Sequence, residues 1–405
     1  MNIELLAPAG DMQKLKTAFL YGADACYFAG KKYGLRAFSD NFDDDELLNS
    51  VKYAHSLNKK CYITLNILAH NTDFNGMADY IKYLDKIGVD AVICSDIGII
   101  SLVKQVAPNM DIHVSTQANI TNKYSAMEFV KMGAKRLILA RELSIDEIKE
   151  IREYIPKDIE IETFVHGAMC ISYSGRCLLS NYLTNRDSNR GQCVQACRWN
   201  YALCEKTRPN NFYEIMEDER GTYILNSKDL RLIEYLDKLV DAGVTSFKIE
   251  GRMKSPYYVA NVVNAYRRAI EILKKDKNNY VCPKYLVEEL EKSSNRGYTT
   301  GFYFDETQRQ NYDSSAAKSN AEFIAICLDD QKDGNVLIEQ RNHFRVGDVL
   351  EVLSPNDTFL KQIKVEKVTT ENGEDVQDCL RVQQKLYLKT DLKLRKNDIL
   401  RRIHK

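Results

Sequence analysis

Short apolar runs alternate with longer amphipathic segments along roughly the first three quarters of the chain. The apolar runs are continuous, which is typical of parallel strands buried on both faces. Between residues 77 and 87, apolar side chains recur every three or four positions, as expected of a helix packed on such a sheet. We predict strands that begin near eight residues: Ile3, Ala25, Cys61, Ala91, Ile112, Arg136, Ile159 and Thr245.

One junction recurs between these segments: a glycine ends a helix and leads directly into a strand. It occurs in YGADACYF, IGVDAVIC, MGAKRLIL and AGVTSFKIEG. Glycine is common after the last turn of a helix because it adopts the left-handed backbone without strain. Eight alternating strand and helix units favour an α/β fold of the (β/α)8 TIM-like barrel type over an open parallel sheet.

The periodicity changes near residue 321, where only short strand-like runs separated by turns remain. We therefore predict a TIM-like barrel over residues 1–305, with a cysteine-rich insertion at about 166–220. A linker at 306–320 and a small all-β barrel domain at 321–405 follow. Between the insertion and the last strand of the barrel we also predict a helix whose apolar face carries Leu230, Ile233, Leu236 and Leu239.

The amino-acid composition excludes fewer classes of function than the hydrophobic pattern does. Lys and Arg together number 57 and so do Asp and Glu, so any nucleic-acid site must be a local basic patch. We note such residues on the all-β domain: Arg341, Arg345, Lys361, Lys364, Lys367, Lys385, Lys389 and Lys393.

The location that the sequence predicts is the cytoplasm. The first residues lack the basic start and apolar core of a signal peptide, and no apolar run approaches the ~20 residues of a membrane span. In that compartment, eleven cysteines argue for metal binding or redox chemistry rather than for a disulfide framework.

Four cysteines form a pattern after the seventh predicted strand. Six residues separate Cys170 from Cys177, fifteen separate Cys177 from Cys193, and three separate Cys193 from Cys197. Four thiolates on a glycine-bearing loop can hold either a zinc ion or an iron–sulfur cluster. Structural zinc sites pair their cysteines two to four residues apart, and only the last two are that close, so the spacing favours an iron–sulfur cluster and leaves zinc as the alternative.

Other candidate site residues lie at or near the carboxyl ends of the predicted strands, where barrel enzymes place their active sites. His166 is a candidate proton carrier or ligand, with a structural, hydrogen-bonded role as the alternative. Glu162 lies within an apolar strand and needs a cationic partner, for which Arg141 and Arg252 are candidates. Either arginine could instead bind an anionic substrate, and Glu250 is a further candidate at the same edge.

Several common catalytic motifs are missing from the chain. It contains no HExxH, GxSxG or GxxxxGK[ST] sequence, so zinc protease, serine hydrolase and P-loop chemistry lack positive support. A nucleophile formed by Cys170 and His166 is possible in principle but leaves three patterned cysteines without a role.

The run from Glu162 to Ser180, ETFVHGAMCISYSGRCLLS, resembles the signature of the collagenase-like peptidase family. LAPAG, STQANITN, LARELS and KIEGRMKSPYY are similar to other recurring blocks of that family. The resemblance covers the barrel from end to end. The all-β domain resembles the appendage of the branch that hydroxylates tRNA.

The resemblance implies a [4Fe–4S] cluster on Cys170, Cys177, Cys193 and Cys197. It also implies formation of 5-hydroxyuridine at the anticodon wobble position of tRNA, dependent on prephenate. For the anionic co-substrate we consider Arg141, Lys248 and Arg252. The family also contains enzymes that hydroxylate ribosomal RNA or a small aromatic substrate.

Three alternatives stay open at this point. The chain could hydroxylate another RNA or a small aromatic compound, it could be the peptidase of the family's historical name, or it could be an RNA-binding subunit whose cluster only shapes a loop. A second family member or another protein could be its partner.

Overall fold

The structure, a computed structural model, describes residues 3–34, 41–170, 172–175, 177–186, 188, 192–199, 203–205, 208–213, 217–218, 221–222, 227–304 and 317–404. For residues 198, 203–205, 208–213, 217–218 and 221–222 it describes the backbone alone. The predicted linker at 306–320 therefore lies mostly outside the described residues.

A closed barrel of eight parallel strands forms the first part of the chain. The strands are β1 (Glu4–Pro8), β2 (Ala25–Phe28), β3 (Lys60–Leu65), β4 (Ala91–Cys94), β5 (Asp111–Val114), β6 (Arg136–Ile138), β7 (Glu160–Ala168) and β13 (Ser246–Ile249). Each begins within one residue of its predicted start. The barrel closes because β13 pairs in parallel with both β1 and β7. The TIM-like barrel prediction is thus confirmed.

Helices cover the outside of the barrel between successive strands. They are α1 (Met12–Leu20), α2 (Asp44–Ser56), α3 (Met77–Lys86), α4 (Ile97–Val106), α5 (Lys123–Lys131), α6 (Ile145–Tyr154), α8 (Leu236–Asp241) and α9 (Pro256–Lys275). Their starts follow local chemistry: the side chain of Asp11 caps α1, and Ser255 caps α9, with proline at its first position. Among the described residues, no helix has the length and apolarity needed to cross a bilayer.

The segment after the insertion departs from the predicted helix. Leu230 lies in a short strand, β12 (Asp229–Arg231), and a 3₁₀ turn, Ile233–Tyr235, precedes α8. The reason is the length of β7, whose last residues rise above the barrel wall and pair antiparallel with β12. Strand β14 (Tyr298–Thr299) then extends this small sheet in parallel with β12. Edge pairing therefore overrides the helical spacing of the leucines.

The insertion between β7 and β12 contains little regular structure. Its elements are α7 (Leu179–Thr184), the 3₁₀ turn Ala196–Arg198, and the strands β8 (Leu203–Glu205), β9 (Arg208–Tyr213), β10 (Glu217–Asp218) and β11 (Gly221–Thr222). Strands β8 and β9 form one hairpin, and β10 and β11 form a second.

Two loops at the carboxyl ends of the barrel strands contain short turns. The 3₁₀ turns Asn71–Phe74 and Thr116–Ala118 lie in the loops after β3 and β5.

The last part of the chain is entirely β, as predicted. Its strands are β15 (Ala321–Cys327), β16 (Asn335–Gln340), β17 (Phe344–Arg345), β18 (Val349–Leu353), β19 (Gln362–Lys364), β20 (Val368–Thr370), β21 (Asp378–Cys379), β22 (Lys385–Lys389) and β23 (Ile399–Ile403). Seven form an antiparallel sheet in the order β19-β18-β23-β15-β16-β22-β20, and β17 pairs with β21. The sheet is a half-barrel around its own apolar core, with β19 and β20 at its edges.

The β domain packs on the flank of the barrel formed by α1, α9 and α10 (Lys284–Glu291). The hydroxyl of Tyr21, just after α1, donates to the carbonyl oxygens of Leu353 and Asn397 at 3.0 and 2.9 Å. From α9, the guanidinium of Arg268 lies over the ring of Phe359 at 4.1 Å and donates to the carbonyl of Ser354. These contacts are away from the carboxyl ends of the barrel strands.

Candidate functional site

A cavity of about 600 Å³ opens at the carboxyl ends of the barrel strands. Side chains from the ends of β3, β5, β7 and β13 line it, and the cysteine insertion forms the rest of its wall. Its size is within the ordinary range of small-molecule sites. The predicted candidates Arg141, Glu250 and Arg252 are in its lining, together with Asn66, Ser115, Thr116 and Gln117 from the loops after β3 and β5.

All four patterned cysteines line this cavity: Cys170, Cys177, Cys193 and Cys197. Two contacts place the insertion on the barrel. The backbone N–H of Ser174 donates to the Glu142 carboxylate at 3.0 Å. Gly175, at φ 72°, lies so close to the backbone of Gln117 that an added Cβ would come 2.4 Å from its carbonyl oxygen. Only glycine fits there, because both the backbone angle and the contact exclude a side chain.

The sulfur atoms receive hydrogen bonds typical of a thiolate environment. The backbone N–H of Gln195 donates to the sulfur of Cys193 at 3.3 Å. Burial alone would raise the pKa of the Cys177 thiol. Hydrogen bonds from the hydroxyls of Ser172 and Ser188 and from two backbone N–H groups outweigh burial and lower that pKa below its usual value.

The four cysteine thiols are the type of ligand that an iron–sulfur cluster needs, although their sulfur atoms do not surround one point. Among the described residues, no three or more His, Cys, Asp or Glu side chains are close enough together to hold a metal ion. Thiols need the metal to draw them together, because metal binding deprotonates them and supplies the attraction. What the fold provides is a common cavity for four sulfur ligands and N–H donors directed at two of them.

Basic side chains dominate the charged groups of the cavity lining. They are Arg141, Arg186, Lys248, Arg252, Lys254 and Arg296. Glu250 is the one carboxylate among the lining residues described. Its carboxylate accepts a hydrogen bond at 3.4 Å from the hydroxyl of Tyr27. The excess of positive charge suits an anionic ligand.

Lys248 and Arg141 both approach the ring of Phe164. The ammonium of Lys248 and the guanidinium carbon of Arg141 each lie 5.4 Å from its centroid. Arg141 donates through Nη1 to the carbonyl of Ala168 at 3.0 Å, while its buried Nε has no hydrogen-bond partner. Arg252 is 4% exposed and donates to the side-chain oxygen of Asn41 at 2.7 Å. Each of these two arginines thus has at least one donor committed to an acceptor of the protein itself.

Glu162 lies inside the barrel, and its partners differ from those predicted. Its carboxylate accepts from Lys248 at 2.7 Å and from Arg136 at 2.9 Å, so Arg141 and Arg252 are not its ion-pair partners. Arg136 also pairs with Glu4 on β1. Barrel closure brings β1, β6, β7 and β13 to a common interior layer, which sequence spacing does not reveal. The sequence feature that could have identified Arg136 as a partner of Glu162 is the position of a charged residue at the start of an apolar strand.

His166 is buried among tyrosines and does not line the cavity. Its ring lies 5.5 Å from the rings of Tyr266 and Tyr298 and 6.1 Å from that of Tyr258, centroid to centroid. Its Nδ1 is 3.4 Å from the hydroxyl of Tyr266. Burial lowers the pKa of His166 to about 3. This environment favours the structural alternative for His166, because the imidazole stays neutral near neutral pH.

The basic residues of the β domain are partly neutralised by neighbours. Lys367 pairs with Asp375 at 2.9 Å, and Arg341 pairs with Glu339 at 2.7 Å. Among the described residues, none from the β domain lines the cavity. Any contribution of these residues to RNA binding would therefore be made outside the cavity.

Comparison with known proteins gives the chain a family. Residues 10–313 match the model of peptidase family U32, and residues 319–401 match the model of that family's C-terminal domain. The chain is 42% identical to tRNA hydroxylation protein P1 of Bacillus subtilis, over 98% of this chain and 94% of that protein. It is 39% identical to tRNA hydroxylation protein P of Escherichia coli, over 87% of this chain and 86% of that protein.

A relative with a different name is similar over a shorter stretch. The chain is 34% identical to a collagenase of Porphyromonas gingivalis, over 75% of this chain and 73% of that protein. The chain belongs to peptidase family U32.

Proposed function

We propose that this protein hydroxylates tRNA, forming 5-hydroxyuridine at the anticodon wobble position. The observation that carries the proposal is the strongly basic cavity, which four cysteines and the strand ends line together. Similarity to tRNA hydroxylation proteins along almost the whole chain supports the same assignment. An RNA substrate brings phosphate groups to the site, and a basic cavity attracts them.

The cysteines are proposed to hold a [4Fe–4S] cluster. Cys170, Cys177, Cys193 and Cys197 are its ligands, and four thiolates are the usual complement for such a cluster. With four cysteine ligands and no open iron, the cluster would supply electron transfer or support the loop. Hydrogen bonds from Ser172, Ser188 and the backbone N–H groups of Leu179 and Ser180 would tune the sulfur of Cys177.

Lys248 and Arg141 are proposed to bind the carboxylates of prephenate. Lys248 is 4% exposed, lines the cavity, and is held by Glu162 through one hydrogen bond at 2.7 Å. An ammonium has three donors, so two remain for a ligand. Arg141 lines the same cavity and adds a second positive charge. Arg136, which itself pairs with Glu4, holds Glu162 in place inside the barrel. Glu162 in turn positions Lys248 before the ligand binds.

Nucleoside mass spectrometry tests the main proposal. tRNA from a strain that lacks this gene should contain no 5-hydroxyuridine or its derivatives at the wobble position. The wild-type gene should restore the modification, whereas a gene with Lys248→Met should not. Unchanged wobble nucleosides in the deletion strain would exclude the proposed function.

The peptidase alternative is favoured only by names, namely that of the family and those of relatives such as the Porphyromonas gingivalis collagenase. A Cys170–His166 nucleophile has little support, since His166 is buried with its Nδ1 at Tyr266 and its pKa is about 3. Purified protein should not cleave gelatin above background. Cleavage that disappears in Cys170→Ala would establish the alternative.

A further inference from the structure

The insertion carries exposed aromatic side chains beside the basic cavity. Tyr173, Tyr182 and Trp199, which we call the aromatic rim, are 62%, 81% and 43% exposed. Tyr182 is the most exposed large apolar side chain among the described residues. Single exposed apolar residues are normal on protein surfaces, but a group within one short segment marks an interaction site.

The aromatic rim belongs to the elements that form the cavity wall. Tyr173 itself lines the cavity. Tyr182 lies on α7, whose Leu179 also lines it. Trp199 follows the 3₁₀ turn that contributes Cys197 to the same wall. A molecule that enters the cavity therefore contacts the same wall elements that carry the aromatic rim.

Among the residues that the structure describes, neither tyrosine of the rim packs on another ring. In contrast, the exposed Tyr124 on α5 packs edge-on against Tyr154 on α6, with centroids 5.4 Å apart. Within the described part of the chain, Tyr173 and Tyr182 contact no other aromatic ring. Their faces are open to a ligand, at the cost of leaving apolar surface in water.

The positively charged side chains of the cavity lining favour an anionic ligand for the aromatic rim. Arg186 is exposed and lines the cavity, and the partly buried Lys254 and Arg296 line it as well. Alternation of open aromatic faces with cations is the arrangement that binds single-stranded nucleic acid, in which bases stack on rings and phosphates meet the cations. A duplex hides its base faces and cannot use such a surface.

We propose that the aromatic rim binds the unpaired bases of an RNA loop by stacking, while the target base enters the cavity. The inference rests on the proposed function for the identity of the RNA. It adds that recognition is by stacking on Tyr173, Tyr182 and Trp199. Binding therefore requires unpaired bases next to the target and tolerates changes in their sequence, because every base has a face that stacks.

The chain reports on its own binding, because Trp199 is its one tryptophan. The test is a fluorescence titration of the full-length, anaerobically purified protein with an anticodon stem–loop RNA and with a blunt duplex of equal length. We expect the stem–loop to quench Trp199 and to bind at least ten times more tightly than the duplex. Equal binding of the two RNAs would overturn the proposal.

Variants assign the effect to the rim, with RNA binding measured by a filter or polarisation assay. Tyr173→Ala and Tyr182→Ala should each weaken stem–loop binding by about fivefold or more, whereas Tyr→Phe at the same positions should retain it. Tyr124→Ala, at a residue 65% exposed elsewhere, is the matched control and should bind as wild type does. Unchanged binding in both alanine variants overturns the proposal.

The two proposals fail in different ways. If the deletion strain has normal wobble nucleosides while Tyr182→Ala still loses stem–loop binding, the rim is upheld and the tRNA hydroxylation is not. If the deletion strain loses the modification but the rim variants bind and restore it fully, the rim proposal is wrong and the function stands.

Discussion

Arg401 in the last strand of the β domain donates to both carboxylate oxygens of Glu289 in barrel helix α10, at 2.6 and 2.8 Å. Neither side chain is exposed. Arg401 also meets Glu351 of its own domain at 2.6 Å and the amide oxygen of Asn261 on α9 at 2.9 Å. A buried charge network therefore joins the two parts of the chain, so the β domain is held in a defined place on the flank of the barrel.

Because the Arg401–Glu289 pair is buried, removal of one partner should strongly lower the free energy of unfolding. Arg401→Met leaves Glu289 without its bidentate partner, and we expect a loss of about 3–5 kcal/mol in the free energy of unfolding. Urea denaturation measures the loss. Arg402→Met is the matched control, because Arg402 is 30% exposed and its pairs with Glu322 and Asp348 should contribute about 1 kcal/mol or less. Equal losses in the two variants would contradict the importance of the buried pair.

His166 predicts how stability depends on pH. Because its pKa falls to about 3 in the folded protein, the unfolded chain binds a proton first as the pH drops below about 6.5. The stability associated with neutral His166 is complete above pH 6.5 and is lost as the pH falls toward 3. Between pH 6.5 and 5, wild type should lose about 2 kcal/mol more than His166→Gln.

Denaturation curves of both proteins across that pH range measure this difference. Buried His113, whose pKa is also lowered by burial, is present in both proteins, so its contribution cancels from the comparison. Parallel pH profiles for wild type and His166→Gln would show that His166 binds its proton at the same pH in the folded and unfolded states, which contradicts the lowered pKa.

Iron analysis tests the ligand assignment without reference to activity. Protein purified without oxygen should be brown and contain iron and sulfide. Serine at Cys170, Cys177, Cys193 or Cys197 should remove most of the iron, because each contributes one ligand. Cys282→Ser should keep it, since Cys282 is a half-buried cysteine outside the cavity lining. Colourless protein with stoichiometric zinc would favour the zinc alternative.

Gly175 tests whether docking of the insertion positions the ligands. Alanine there adds left-handed strain of about 1–2 kcal/mol and a collision with the carbonyl of Gln117. We expect Gly175→Ala to lose iron while circular dichroism shows an intact barrel. Gly334→Ala has a similar backbone angle, φ 76°, but an added Cβ meets nothing within 4 Å, so it should keep its iron. Full iron content in Gly175→Ala would mean that the loop binds the cluster without this contact.

The sequence by itself determined the elements of the barrel and where its site lies. Apolar runs placed each strand start within one residue, because a strand buried on both faces consists of consecutive apolar residues. The same logic placed the cysteines after β7 and hence at the barrel mouth. The cysteine spacing favoured an iron–sulfur cluster over zinc, whereas the [4Fe–4S] type and the tRNA substrate were implied only by the family resemblance.

Tertiary structure decided which charges meet. Lys248 and Arg136, not Arg141 or Arg252, pair with Glu162, because closure of the barrel brings strands far apart in sequence into one interior layer. Leu230 lies in β12 rather than in a helix, because the overhanging end of β7 needs a pairing partner. Arg401 meets Glu289 across 112 residues because the β domain packs on the flank of the barrel. Such pairings depend on distance in space, for which a linear pattern of residue types contains no signal.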